Sequence, residues 1–216
     1  MKRLPLTVCV SVAIVALLLG CWGFSSKLAA QAANRTTSVN WPLHNLDLAG
    51  TRYSPLDQIN ASNFSKLQLA FRVKTDNLGP RPEFQFQATP LMVNGRLFTT
   101  AGTRRAAVAV DATTGEMLWM HSINEGKRGE AAPRLLSGRG LAYWSDGKEE
   151  RILYVTPGYQ MVALDAKTGH PIAGFGTNGI VDLKTRLDQE GLDLITPEIR
   201  MHSAPILYKR MIVVRA

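Results

Sequence analysis

The chain has 216 residues, 45% hydrophobic and 19% charged, with a formal net charge of +8. Those proportions exclude a wholly disordered polymer and leave room for one good core or two small ones. Lys2, Arg3 and Lys27 lie in the first 32 residues, and removing them leaves +5; the remaining basic residues are scattered without interleaved aromatics, which argues against a nucleic-acid-binding stripe.

Residues 1–32 read as a signal peptide: Lys2 and Arg3 give a positive start, Leu4 to Gly20 is almost wholly apolar, and Ala30-Gln31-Ala32 offers a small-residue cleavage site. The protein is therefore expected to be exported to the periplasm. Two alternatives stay open for the same segment. Leu18-Leu19-Gly20-Cys21 resembles a lipoprotein box with Cys21 as the lipidated residue, and the apolar run is almost long enough to remain as a membrane anchor. Both cysteines, Cys9 and Cys21, fall within it, so residues 33–216 contain neither a disulfide nor a thiolate metal site. Residues 33–40 are a polar tether.

From Trp41 to Leu56, turn-forming Asn, Asp, Gly and Pro recur too often for a helix, predicting an extended segment and then a short helical turn near Asn60 to Ser65. Leu67, Leu69 and Phe71 alternate with polar or small residues and predict a strand from Leu67 to Val73, followed by a loop from Asp76 to Glu83. Thr89 to Val93 and Arg96 to Thr100 flank Asn94-Gly95, a strong hairpin signal. Ala106 to Val110 and Glu116 to Met120 flank a second turn, in which Asp111 caps the backbone and Gly115 supplies the left-handed residue.

The plan then repeats after a polar excursion from Ser122 to Gly138. Strands are expected at Gly140 to Trp144, Arg151 to Val155, Met161 to Leu164 and Pro171 to Phe175. Asp165-Ala166-Lys167-Thr168-Gly169 copies Asp111-Ala112-Thr113-Thr114-Gly115 at a distance of 54 residues. Gly176 to Ile199 is a further excursion, with Gly174, Gly176 and Gly179 serving as turn residues, and Ala204 to Leu207 with Met211 to Val214 opens a third unit. Four short antiparallel strands per unit describe an all-β fold, a β-propeller of which residues 41–216 hold the first two to three blades. A ring needs about four to eight blades of about 40–50 residues, so the chain is expected to be the start of a longer protein; an open stack that self-associates is the alternative.

Several segments together resemble the amino-terminal part of the pyrroloquinoline quinone (PQQ)-dependent dehydrogenases, eight-bladed quinoproteins of the glucose and alcohol dehydrogenase group. They are Ala49-Gly50-Thr51-Arg52-Tyr53-Ser54-Pro55-Leu56 with Gln58-Ile59-Asn60, the two Asp-Ala-x-Thr-Gly turns, Trp119, and Arg139-Gly140-Leu141-Ala142-Tyr143-Trp144. The resemblance implies oxidation of a glucose-like sugar or an alcohol with PQQ, electrons passing to a quinone or cytochrome acceptor, and calcium as the metal, its ligands and the catalytic base not being in this chain. It places Arg139 against the cofactor, where a planar guanidinium suits a carboxylate; a surface ion pair is the alternative. Gln87 stands where relatives often carry a glutamate facing the cofactor, and His202 where they present threonine or another polar residue; a strand start and a structural histidine are the respective alternatives. Arg104 and Arg105 either add positive potential or occupy a solvated loop, the latter being preferred. Pro133 and Arg134 stand where one alcohol-oxidising branch has adjacent cysteines, which favours the sugar and polyol branch. His44, His121, His170 and His202 lack metal-ligand spacing. Trp119 and Trp144 are expected in packing between blades. The fragment alone is expected to be inactive, and the competing function is a non-catalytic propeller lipoprotein scaffold in outer-membrane protein assembly.

Overall fold

Each repeat folds into a four-stranded antiparallel sheet in the computed structural model, which describes residues 39–191, 193–195 and 203–215. The expected signal peptide with Cys21, most of the tether and His202 lie outside the described residues. The first sheet comprises β1 (Leu91–Val93), β2 (Arg96–Ala101), β3 (Ala106–Asp111) and β4 (Met117–His121), hydrogen-bonded in that order. Asn94 and Gly95 take φ of 49° and 77°, the two positive values a tight primed turn demands, and Val93 pairs with Arg96 across it. Between Ala109 and Val110 the β3–β4 register shifts by a bulge.

The second sheet comprises β5 (Ala142–Ser145), β6 (Glu150–Val155), β7 (Gln160–Asp165) and β8 (Ile180–Asp182). Its fourth strand departs from the expected Pro171 to Phe175. Pro171 makes a single bridge to Leu164, and the Ile172 amide bonds the Ala163 carbonyl at 2.9 Å. The chain then loops out and resumes the ladder at Ile180, opposite Val162. Proline has no N–H to extend the ladder, and Gly176 and Gly179, at φ of 55° and 87°, let the backbone turn away and back. A third unit begins with β9 (Ile206–Tyr208) paired to β10 (Met211–Val213).

The two Asp turns are alike bond for bond. Asp111 Oδ1 accepts the Thr113 and Thr114 amides at 2.9 and 2.8 Å and the Thr114 hydroxyl at 3.1 Å. Asp165 Oδ1 accepts the Lys167 and Thr168 amides at 3.0 and 2.8 Å and the Thr168 hydroxyl at 2.9 Å. Gly115 and Gly169 close these turns at φ of 78° and 73°.

Successive sheets stack, so both faces are buried. Ala107 and Ala109 face the second sheet and pack in one core with Phe98, Ile152, Tyr154, Val162 and Leu164. The alternate residues Val108 and Val110 face the other way, toward Val73 and Leu78. In the second sheet Met161 and Ala163 turn toward Leu207, Ile212 and Val214 of the third unit. Val108 and Val162 thus hold equivalent positions on the side of the preceding unit. Side chains as enclosed as Ile152 and Leu164, both at 0% exposure, contribute about 1.5–3 kcal/mol each.

Leu67 to Val73 forms no strand. Only the second half of the alternating set is covered: Phe71 lies on the Gly115 turn and Val73 enters the core, while Leu67 and Leu69 remain 52% and 75% exposed. The expected helical turn is present as a 3-10 helix over Phe64–Lys66. The Ser122 to Gly138 excursion carries one helical turn, α1 (Lys127–Glu130). Among the described residues no helix is long and apolar enough to cross a membrane.

Candidate functional site

In each unit the first strand begins at the same edge of the stack. Gln87 lies four residues before β1 and Arg139 three before β5, so these two expected cofactor contacts each precede the first strand of a unit, while His202 lies outside the described residues. The starts of these strands converge: β5 lies against β9, and the Thr89 carbonyl, just ahead of β1, sits 3.2 Å from where a Cβ on Gly140 would be.

Glycines on both sides set the position of Arg139. Gly138 has φ of +65°, and a side chain there would meet the Arg105 guanidinium at 2.7 Å; Gly140 has φ of +116° and faces the Thr89 carbonyl. Arg139 itself is exposed and borders two hollows. One, of about 20 Å³, also holds Gln87 and Gln85. The other, of about 370 Å³, is lined by His44, Asp47, Ser203 and Pro205 among others. Neither the Arg139 nor the Gln87 side chain has a hydrogen-bond or ion-pair partner among the described residues. A cation and an amide left open beside a hollow suit an anionic ligand bearing carboxylate and carbonyl oxygens. The structure thus brings Arg139 and Gln87 to one hollow, and the immediate neighbour of His202, Ser203, to the other.

Behind Arg139 stands Arg105. The expectation of a solvated loop holds for Arg104, which is exposed, and fails for Arg105, which is only 4% exposed. Its guanidinium donates to the carbonyls of Arg134 at 3.0 Å, Leu136 at 3.3 Å and Val155 at 3.1 Å. Burial pushes this group down to about 10, against the raising field of Glu125, so it remains charged at neutral pH. The reason for the miss is distance: its acceptors lie 29 to 50 residues away in the chain.

Glu83 escaped sequence reading for the same reason. Its carboxylate accepts the Ser137 amide on Oε1 and the Gly102 amide on Oε2, both at 2.9 Å. Ser137 Oγ in turn accepts the Gln87 amide at 3.3 Å. Glu125 is tied to the second sheet through the Thr156 hydroxyl at 2.6 Å and the Gly158 amide at 2.7 Å. Near it, His121 Nδ1 and the Tyr154 hydroxyl are 3.0 Å apart; burial lowers the imidazole pKa and raises that of the phenol. Among the described residues no group of three or more His, Cys, Asp or Glu side chains is arranged to hold a metal ion.

Trp119 packs between blades as expected, its indole N–H donating to the Ala166 carbonyl at 3.1 Å. Trp144 packs against the second core and lies 5.0 Å from the Arg151 guanidinium.

Comparison with known proteins agrees with this architecture. The chain is 30% identical to the glycerol dehydrogenase large subunit of Gluconobacter oxydans (strain 621H), covering 76% of this chain and 23% of that protein. It is 31% identical to the quinoprotein glucose dehydrogenase of the same organism, covering 84% and 26%. Among solved structures, the quinohemoprotein alcohol dehydrogenase from Comamonas testosteroni superimposes with a TM-score of 0.60 at 25% identity, over 85% of this chain and 24% of that one. The chain spans about a quarter of the length of these relatives. Residues 41–216 match the family model "PQQ: Glucose/ethanol/alcohol dehydrogenase, beta-propeller domain", and the chain belongs to that family.

Proposed function

We propose that residues 41–216 form one wall of a PQQ chamber in a periplasmic quinoprotein that oxidises an alcohol or sugar at its CH–OH carbon and passes the electrons to a quinone or cytochrome. The observation that carries this reading is the unpartnered Arg139 guanidinium bordering both hollows, with Gln87 in one and Ser203 in the other. When bound, PQQ supplies an ortho-quinone that accepts two electrons, and calcium supplies a Lewis acid.

This chain's own contribution is binding and orientation. Arg139 presents a planar fork to a cofactor carboxylate, Gln87 offers an amide to a neighbouring oxygen without adding charge, and His202 contributes a polar edge from the third blade. The inter-blade core beneath excludes water from the underside of the wall. A purely scaffolding propeller needs the Asp turns but has no use for an arginine kept open between two glycines. The same reading holds that residues 41–216 by themselves give no turnover.

The test is a PQQ titration of the complete gene product that carries this chain, with calcium present, followed by dye reduction with glucose, glycerol and ethanol. Saturable PQQ binding and substrate-dependent dye reduction support the reading. A folded product that neither binds PQQ nor reduces the dye sinks it.

A further inference from the structure

We infer that Arg105 and Glu83 are positioning residues for Arg139: two charged clamps that fix the segment from Arg134 to Arg139 against three other segments. The inference rests on the cofactor role proposed above for Arg139. That segment is irregular, following α1 and preceding β5, so no ladder of its own holds it.

Arg105 reaches it from the β2–β3 turn through the Arg134 and Leu136 carbonyls and joins it to β6 through Val155. Glu83 holds the Ser137 amide on one oxygen and the β2–β3 turn on the other, through Gly102. Gly138 then leaves the space that the Arg105 guanidinium fills, and the next residue is Arg139.

The choice of residue types is informative. A buried arginine with no carboxylate in ion-pair contact among the described residues is costly to desolvate. Three carbonyls from two segments use the fork in a way that a lysine, as a point charge, does not reproduce. A carboxylate accepting two backbone amides likewise makes charge-assisted bonds stronger than neutral ones. Hydrophobic packing alone would have stabilised the fold; charged clamps at this one irregular segment set its direction.

The experiment uses the complete gene product and two readouts. Arg105→Met, Arg105→Lys and Glu83→Ala are compared with Val162→Ala, which weakens the core of the second sheet without touching the segment. Amide hydrogen exchange without cofactor tests the clamps, and PQQ titration tests their purpose. Expected is exchange at Leu136 to Arg139 at least about tenfold faster in Arg105→Met and Glu83→Ala, and PQQ affinity lower by about tenfold or more. Arg105→Lys should fall between, and Val162→Ala should lower the thermal midpoint while leaving PQQ affinity within about twofold. Unchanged exchange overturns the clamp, whatever PQQ does. Faster exchange with parental PQQ affinity, or equal affinity loss in Val162→Ala, overturns the positioning role. A parent protein that binds no PQQ overturns the functional reading, and this inference with it.

Discussion

Trp119 donates its indole N–H to the carbonyl of Ala166, across the boundary between two sheets and 47 residues along the chain. The same ring covers Gly169, which closes the turn that Ala166 belongs to. Removing the ring takes away a hydrogen bond and a packed surface together. Trp119→Ala should cost about 2–3 kcal/mol, below the ~3–5 kcal/mol of a fully buried tryptophan because the ring is partly exposed. Trp119→Phe should cost about 1 kcal/mol, the worth of the lost hydrogen bond. Urea unfolding of both variants beside the parent checks the ranking.

Gly169 itself makes a sharper test. It needs φ of +73°, and a Cβ there would meet the Trp119 ring at 2.6 Å, whereas Gly95, at φ of +77°, has open space. Gly95→Ala should cost about 1–2 kcal/mol for the left-handed backbone alone. Gly169→Ala should cost at least about 1 kcal/mol more, for displacing the indole. Equal losses in thermal unfolding would show that the ring yields freely.

The His121 and Tyr154 pair gives an acid-side prediction. Burial holds the His121 imidazole below its ordinary value, so the folded state favours the neutral form and the unfolded state binds the proton more readily. The stability this supplies is present above about pH 6.5 and is lost as pH falls through the lowered folded value. Thermal midpoints measured from pH 8 to 5 should therefore decline on the acid side, and His121→Gln should flatten that part of the curve.

Arg128 ties α1 to the second sheet. Its guanidinium meets both oxygens of Asp182, at 2.8 and 2.6 Å, and the Gly158 and Tyr159 carbonyls. The Arg128 hydrogen bonds hold the Asp182 carboxyl below its ordinary value. That stability is present above about pH 4 and is lost as pH falls through the lowered folded value. Because the pair is partly solvated, Asp182→Asn should cost only about 0.5–1 kcal/mol globally. Locally it should loosen the excursion, so limited proteolysis at Lys127 and Arg128 should speed up several-fold before the sheets unfold.

Arg139→Lys should behave more like Arg139→Ala than like the parent. A lysine keeps the charge but loses the planar fork, so PQQ affinity should fall about tenfold, or ~1.4 kcal/mol, in both variants. Fluorescence titration with PQQ measures it; a lysine variant at parental affinity would reduce the contact to simple charge attraction.

Much of the fold could be read from local chemistry. Asn94-Gly95 and the two Asp turns specify their geometry within five residues, and the structure reproduces the turns as expected. The departures arise where a neighbour decides. Leu67 to Val73 has a strand's alternation, but only Phe71 and Val73 rest on the first sheet while Leu67 and Leu69 stay exposed, and pairing depends on backbone alongside it, which periodicity does not encode. Pro171 to Phe175 has strand-like composition, but the ladder abandons it after Ile172: the Gly179 carbonyl accepts the Ala163 amide, and Ile180 resumes pairing opposite Val162 of β7. At the candidate site, Arg139 and Gln87 stood out by motif. Arg105 and Glu83 did not, since their bonds join segments 19 to 54 residues apart and neither residue type announces burial.

The way aromatics meet glycine turns has a consequence for how such a chain can change length. Phe71 rests on Gly115 and Trp119 on Gly169, so the first unit receives a ring from the segment before it and offers one to the second, as head-to-tail subunits do in a filament. Duplicating the first unit, at the 54-residue spacing of Asp111 and Asp165, would leave every ring with a socket. A partial unit that carried a ring without its turn, or a turn without its ring, would leave one of them uncovered. Evolution by whole-unit duplication is therefore the change this packing scheme tolerates best.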